Sequence, residues 1–274
     1  MTPLSDDALD PHVLTDCHRN LFEAFRLIAR ARHQGRIEEE HGIVRIANPG
    51  AGLGVNQVIL TEVPSDPAAE IGRSARFMER AGVEYWTLVA FPHVAPSLGT
   101  IPESAGLTER QIIPGMILPS IPIRPPPPPP ELRIRRATTP ALWETMIRVG
   151  LEGLTGVAPE DPLSRFPFEL SSTARGYVGF IGKVPVTTSL QVSYRGVSGV
   201  YLVATLPTYR GRGLGAAMTW RAVVDGRKDA CRVGFLQASE MGYPVYSKMG
   251  FRKITEYTEW HAPKPRPVTS AGAA

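Results

Sequence analysis

The chain has 274 residues, 43% of them hydrophobic and 20% charged, which is enough for two ordinary domains with packed cores and excludes a broadly disordered protein. Its formal net charge of +4 is a mild excess that suits anionic small ligands and gives no reason to expect a nucleic-acid partner. Two cysteines far apart without CxxC spacing exclude a metal cluster or disulfide framework, and a polar, acidic start, MTPLSDDALD, with no run of 18 apolar residues, points away from a signal peptide or membrane anchor and toward the cytoplasm.

The first half opens on a helical stretch, His12 to Gln34. Its arginines 19, 26, 30 and 32 read as a solvated face. GIVRIANPG and NQVILTEVP read as strands, and the glycine cluster between them as a hairpin loop. SDPAAEIGRSARFMERAG is a helix with Ser65 or Asp66 as its cap. VEYWTLVAFP and PGMILPSIPI are two further strands. Six consecutive prolines, Pro125 to Pro130, then form an extended, semi-rigid spacer, because they lack backbone donors and fix φ.

The second half begins with a strand, ELRIRRAT. A helix follows in which Thr139 is the N-cap and Pro140 the first helical residue. RGYVGFIG, VTTSLQVSYRG and VSGVYLVATLP are three strands; GRGLGAAMTWRAVVDGRKDA has helical spacing. RVGFLQAS, EMGYPVYSKMG and FRKITEYTEWH are strand, short helix and strand, and the tail APKPRPVTSAGAA reads as disordered. The first half repeats part of this order. Gly106-Leu107 falls where Gly250-Phe251 stands, with Pro102 in the place of Tyr246. The expected division is 1–121, a linker at 122–131, a second domain at 132–261 and a tail at 262–274.

LPTYRGRGLGAAM, residues 206–218, carries the chemistry. A strand ends, glycines expose their N–H groups, and a helix N-terminus begins. Unpaired N–H groups and the positive end of the helix dipole then point the same way, which suits a phosphate. Glycine permits positive φ and close approach, and Arg210 and Arg212 can add charge-assisted contacts. The stretch is no Walker loop, since no GK[ST] follows, and no GxGxxG fingerprint.

The stretch resembles motif A of the GNAT superfamily of acetyltransferases, [QR]-x-x-G-x-[GA], here Arg210, Gly213 and Gly215. The resemblance continues in FLQASEMGYPVYSKMGF, which ends in the family's Y-x-x-x-G-F as Tyr246, Gly250 and Phe251. It covers about residues 131–260. It implies an α/β fold of two GNAT-like domains in tandem, each a mixed, mostly antiparallel sheet flanked by helices, the first degenerate. It also implies acetyl-CoA as donor, with its pyrophosphate on Arg210, Gly211, Arg212, Gly213, Leu214, Gly215 and Ala216. The pantetheine arm would run along Val203, Ala204 and Thr205. Tyr246 is the implied general acid, since a phenol stays protonated at neutral pH.

No Asp or Glu lies between Glu169 and Asp225, so the central strands offer no general base. Glu152, Glu160, Asp161, Glu240, Glu256, Glu259, the N-terminal domain and water stay open. The expected activity is transfer of acetyl to the amine of a small molecule or peptide, with no metal. The rival is a silent acyl-CoA-binding sensor. The six histidines show no ligand spacing, and Tyr85 and Trp86 read as core aromatics.

Overall fold

A computed structural model describes residues 11–30, 34–49, 55–156 and 173–262. Its first half holds α1 (Pro11–Arg30), β1 (Arg36–Glu40), β2 (Ile43–Ala47), β3 (Gln57–Leu60), α2 (Pro67–Arg80) and β4 (Thr87–Ala90). Short α3 (Ala95–Leu98), short α4 (Ile101–Ser104) and β5 (Thr108–Leu118) complete it. After the proline run come β6 (Leu132–Arg136), α5 (Pro140–Thr155), β7 (Ala174–Ile181), β8 (Val184–Tyr194) and β9 (Val197–Thr205). The chain closes with α6 (Leu214–Asp225), β10 (Val233–Gln237), α7 (Tyr243–Lys248) and β11 (Arg252–His261). The expected glycine hairpin at 50–54 and the tail from 263 lie outside the described residues.

Two compact units divide the chain: Met1–His33 with Ile113–Thr255, and Gln34–Ile112 with Glu256–Ala274. This differs from the linear division expected from sequence. The reason is apolar burial. Cys17, Leu21, Ala24 and Leu27 form a stripe at helical spacing along α1. Ala24 and Leu27 join a core cluster with Trp143, Met146 and Ile147 of α5 and Val178, Leu190 and Val192 of the strands. The first helix therefore serves the unit built mainly from the second half.

In that unit the strands run β5, β10, β9, β8, β7, β6. Only β9 and β10 are parallel; the other neighbours are antiparallel. A parallel pair needs a crossover, and α6 supplies it. The apolar side of α6, Met218, Ala222 and Val223, packs into a cluster with Tyr177, Val200, Leu236 and Tyr246. Thr139 caps α5 as its sequence predicts, accepting from Leu142 N–H at 3.3 Å, with Pro140 next to it. Residues 125–129 have no regular secondary structure, and most of the proline run is exposed.

The other unit orders β1, β2, β3, β4 and the end of β11, with β3 and β4 parallel around α2. Asp66 caps α2, accepting from Ala69 N–H at 3.0 Å. Sequence reading missed β1, RIEEE, because its residues are charged and almost wholly exposed. Such a composition is poor in strand formers, yet it suits an edge strand that must not pair with other chains.

The internal repeat has a geometric counterpart. Gly250 has φ 92° and Gly106 has φ 87°. Phe251 N–H donates to Tyr246 C=O at 3.0 Å, and Leu107 N–H donates to Pro102 C=O at 3.0 Å. The same helix-ending turn is thus built twice, once around a tyrosine and once around a proline.

Candidate donor and acid site

β9 and β10 pair from Val197 opposite Val233 to Val200 opposite Leu236, and no further. Beyond Val200 the strands part. The backbone of β9 from Tyr201 to Thr205 therefore has an open side. Its other side is tied to β8: Thr188 Oγ1 donates to Leu202 C=O at 3.0 Å, and Thr187 Oγ1 to Ala204 C=O at 2.7 Å. Alternation along a strand then turns the peptide groups of Val203 and Thr205 toward the opening. Of the three residues expected to line the arm, Ala204 spends its carbonyl on β8.

A bulge marks the point of parting. The β8–β9 register shifts between Thr188 and Leu190, and Leu202 has φ 49°. A leucine in the left-handed region is strained and persists only where its surroundings hold it. Here α5 holds it: a Cβ on Gly150 would come within 2.9 Å of Leu202, and one on Gly153 within 2.9 Å of Ala204. Nothing in the sequence VYLVAT announces this bulge.

After β9 the chain makes a 3-10 turn at Pro207–Tyr209 and enters the glycine loop. Gly211 has φ 78° and Gly213 has φ 71°. A Cβ at Gly211 would meet nothing within 4 Å, and one at Gly213 only Pro129 at 3.9 Å. Packing does not demand glycine at these places; the backbone conformation does, and it leaves the surface above bare. Gly213 caps α6 without a side-chain acceptor. The first-turn N–H groups of α6 consequently have no partner inside the helix and face outward, as an anion site requires.

The two arginines have different partners. Arg210 donates to Gly153 C=O at 2.8 Å and to Thr205 C=O at 3.2 Å. It braces the loop against the C-terminal turn of α5, where carbonyls lack helical partners. Arg212 pairs with Glu131 at 3.0 Å and lies 5.7 Å from the Tyr209 ring centroid.

Tyr246 sits on α7, buried, against Phe251 at 5.9 Å between ring centroids. A Cβ on Gly242 would come within 2.8 Å of its ring, so the glycine makes room for it. Burial pushes its pKa up to about 12, partly opposed by hydrogen bonding with Thr219. Thr219 Oγ1 also donates to Gly215 C=O at 2.9 Å. The phenol therefore faces α6 about one turn, some 5 Å, beyond the loop.

The carboxylates left open by the sequence are unequal. Glu160 and Asp161 lie outside the described residues. Glu259, in the other unit, is raised to about 7 by burial, with Gln111 donating to it at 3.3 Å. Among the described residues no group of His, Cys, Asp and Glu is placed to hold a metal ion, and no helix is long and apolar enough to cross a membrane.

Residues 177–254 match the family model described as an acetyltransferase (GNAT) domain. Residues 177–254 are thus similar to a GNAT domain. Both motifs, Arg210 to Ala216 and Tyr246 to Phe251, lie inside that match. No curated protein sequence matches the chain. The solved GCN5-related N-acetyltransferase from Kribbella flavida is similar at TM-score 0.66 and 16% identity, over 91% of this chain and 96% of that one. A GCN5-related N-acetyltransferase from Sphaerobacter thermophilus matches at TM-score 0.53 and 16% identity, covering 85% of each chain. A tandem GNAT protein from the clavulanic acid biosynthesis pathway matches at 0.54 and 12%, over 91% and 96%. The fold is thus that of GNAT-like domains in tandem, each a mixed, mostly antiparallel sheet flanked by helices.

Proposed function

We propose that the protein is an N-acetyltransferase that takes acetyl-CoA on the unit built around β9, α6 and β10. The observation that carries this reading is the pairing of an uncapped, glycine-lined helix N-terminus with a strand whose next five residues lose their neighbour. The first suits a diphosphate and the second suits an amide-bearing arm that adds as a strand.

In this reading the N–H groups from Gly211 to Ala216 bind the pyrophosphate. Val203 offers its backbone donor and acceptor, and Thr205 its N–H, to the pantetheine amides, the Thr205 carbonyl already accepting from Arg210, and Ala204 packs beneath them. Arg210 fixes the loop rather than touching phosphate. The neutral amine of a small molecule or peptide attacks the thioester carbonyl carbon, and a backbone N–H of β9 stabilises the oxyanion. The C–S bond then breaks, the sulfur takes a proton from Tyr246 Oη, and the acylated nitrogen gives up its extra proton through water, which restores the phenol. A phenol with a pKa of about 12 is fully protonated at neutral pH and can donate.

The test is release of free thiol from acetyl-CoA across a library of amines, with calorimetric titration of CoA alongside. Binding together with amine-dependent thiol release supports the enzyme. Binding without release by any amine supports a silent sensor. Absence of binding removes both.

A further inference from the structure

The proline run ends against the glycine loop. Pro129 Cγ would be 3.9 Å from a Cβ on Gly213. Leu132 N–H closes a turn onto Pro129 C=O at 2.9 Å. Glu131, the residue between run and strand, reaches Arg212 at 3.0 Å. Both partners of that ion pair are 40% exposed. Its own backbone N–H first, and then Arg212, lower the pKa of Glu131 from the usual carboxylate value.

These contacts place a carboxylate beside the N-terminus of α6, where the proposed pyrophosphate belongs. A carboxylate and a phosphate both bind one guanidinium edge-on, so they compete for it. Six residues without N–H donors cannot answer a phosphate themselves. They can hold a neighbouring side chain in place, because φ is fixed along the run and little conformational freedom is left. The proline rod acts as the mount, and Glu131 as the group it presents.

Resting on the donor-site reading above, we propose that Glu131 sets donor affinity: its carboxylate holds Arg212 when the site is empty, and a diphosphate must displace it to recruit the guanidinium. Arg212 then moves from the Tyr209–Glu131 position to the ligand, and Glu131 is left to water. Exposed ion pairs are weak, so the competition is modest and the switch reversible. The rod and Glu131 thereby form one wall of the diphosphate site.

The experiment is calorimetric titration of the full chain with CoA, and separately with ADP, at low salt. The variants are wild type, Glu131→Gln, Arg212→Gln and the double variant. Glu131→Gln should bind both ligands about 2- to 5-fold more tightly. Arg212→Gln should weaken both, and the double variant should equal Arg212→Gln, since the carboxylate acts only through that arginine. Unchanged or weaker binding by Glu131→Gln overturns the proposal. So does a gain that persists without Arg212, or a gain with CoA that ADP does not share. Gly213→Val separates this from the underlying reading. If CoA binds as well to that variant as to wild type, the donor site itself is misplaced. If Gly213→Val abolishes binding while Glu131→Gln changes nothing, only the role of Glu131 falls.

Discussion

Tyr201 Oη donates to Asn20 Oδ1 at 2.6 Å across 181 residues of chain. Asn20 is fully buried, and its Nδ2 donates to both Val192 C=O and Val197 C=O at 3.0 Å. One amide from α1 therefore ties together β8, β9 and the tyrosine that precedes the bulge at Leu202. Gly199 has no side chain to obstruct it, since a Cβ there would strike the Asn20 amide.

Asn20→Leu keeps the volume and removes every one of these bonds, so two strand carbonyls and the Tyr201 hydroxyl each lose a buried partner. Each such group costs about 1–3 kcal/mol. Destabilisation of about 3 kcal/mol or more is expected in urea unfolding, in the transition of the unit that contains α1. A change below about 1 kcal/mol would show that water or local relaxation replaces the amide.

Gly213→Val tests the anion cradle. Valine at φ 71° is strained by about 1–2 kcal/mol, but no packed neighbour obstructs it, so the fold should persist by circular dichroism. Its side chain stands where phosphate must approach. CoA affinity should fall at least about 10-fold, equivalent to about 1.4 kcal/mol. Unchanged affinity in calorimetry would remove the site assignment.

Tyr246→Phe keeps the ring against Phe251 and removes the proton donor. General acid catalysis contributes about 10²–10⁴-fold. Water can serve in part, so kcat should fall near the lower end, with CoA affinity nearly intact. Because the phenol stays protonated to about pH 12, the wild-type rate should show no loss from this group between pH 7 and 10. Wild-type kcat in the variant would make Tyr246 a packing residue.

One CoA per chain is the expected stoichiometry. In the unit built on Gln34–Ile112, β3 and β4 stay paired along all four residues of each, from Gln57 opposite Thr87 to Leu60 opposite Ala90. No opening is left there for a pantetheine arm. The N-terminus of α2 is already capped by Asp66. Glu70 stands in its first turn; burial would raise its pKa, but hydrogen bonds from Arg73 and Arg45 outweigh burial and keep it ionised. Carboxylates repel a diphosphate where glycines would accept one. A fitted stoichiometry of two would refute this account.

Glu259 gives a pH dependence of stability. Its folded pKa of about 7 lies above the unbound carboxylate value of 4.5, so the folded state binds the extra proton. Stability from this group is fully present below pH 4.5 and is lost as pH rises through 7. At about 1.4 kcal/mol per pH unit, the loss is at most about 3 kcal/mol, less where solvent reaches the side chain. Glu259→Gln should flatten the fall in melting temperature between pH 5 and 8. An identical slope in the variant would assign that fall elsewhere.

The glycine loop and the helix start after it were legible because their backbone depends on residue type: glycine takes the positive φ of Gly211 and Gly213 without strain, and a helix start after a strand end can be read from periodicity. The capped starts of α2 and α5 were legible for the same reason. Leu202 was not, because a bulge held from outside leaves no mark on its own residue. Asn20 was hidden too, a polar residue within an apolar stripe whose partners come 172 and 177 residues later. The braced position of Arg210 depends on the carbonyl of Gly153, which any residue would supply. Local rules reveal local devices, and these three depend on distant chain.

The placement of α1 has a consequence for synthesis. The strands that cover the apolar stripe of this helix are made some 150 residues after it. Until then Ala24 and Leu27 lack the partners of their core cluster, and the unit built around β9 and α6 cannot be completed. Pairing that waits on so long a stretch of chain carries a large loop-closure entropy and slows folding. A fragment starting at the proline run would lack α1 altogether, leaving bare the face that Asn20 and Leu27 occupy. The half that carries the motifs is therefore not a portable module, and cutting the gene at the proline run would divide one folding unit rather than separate two.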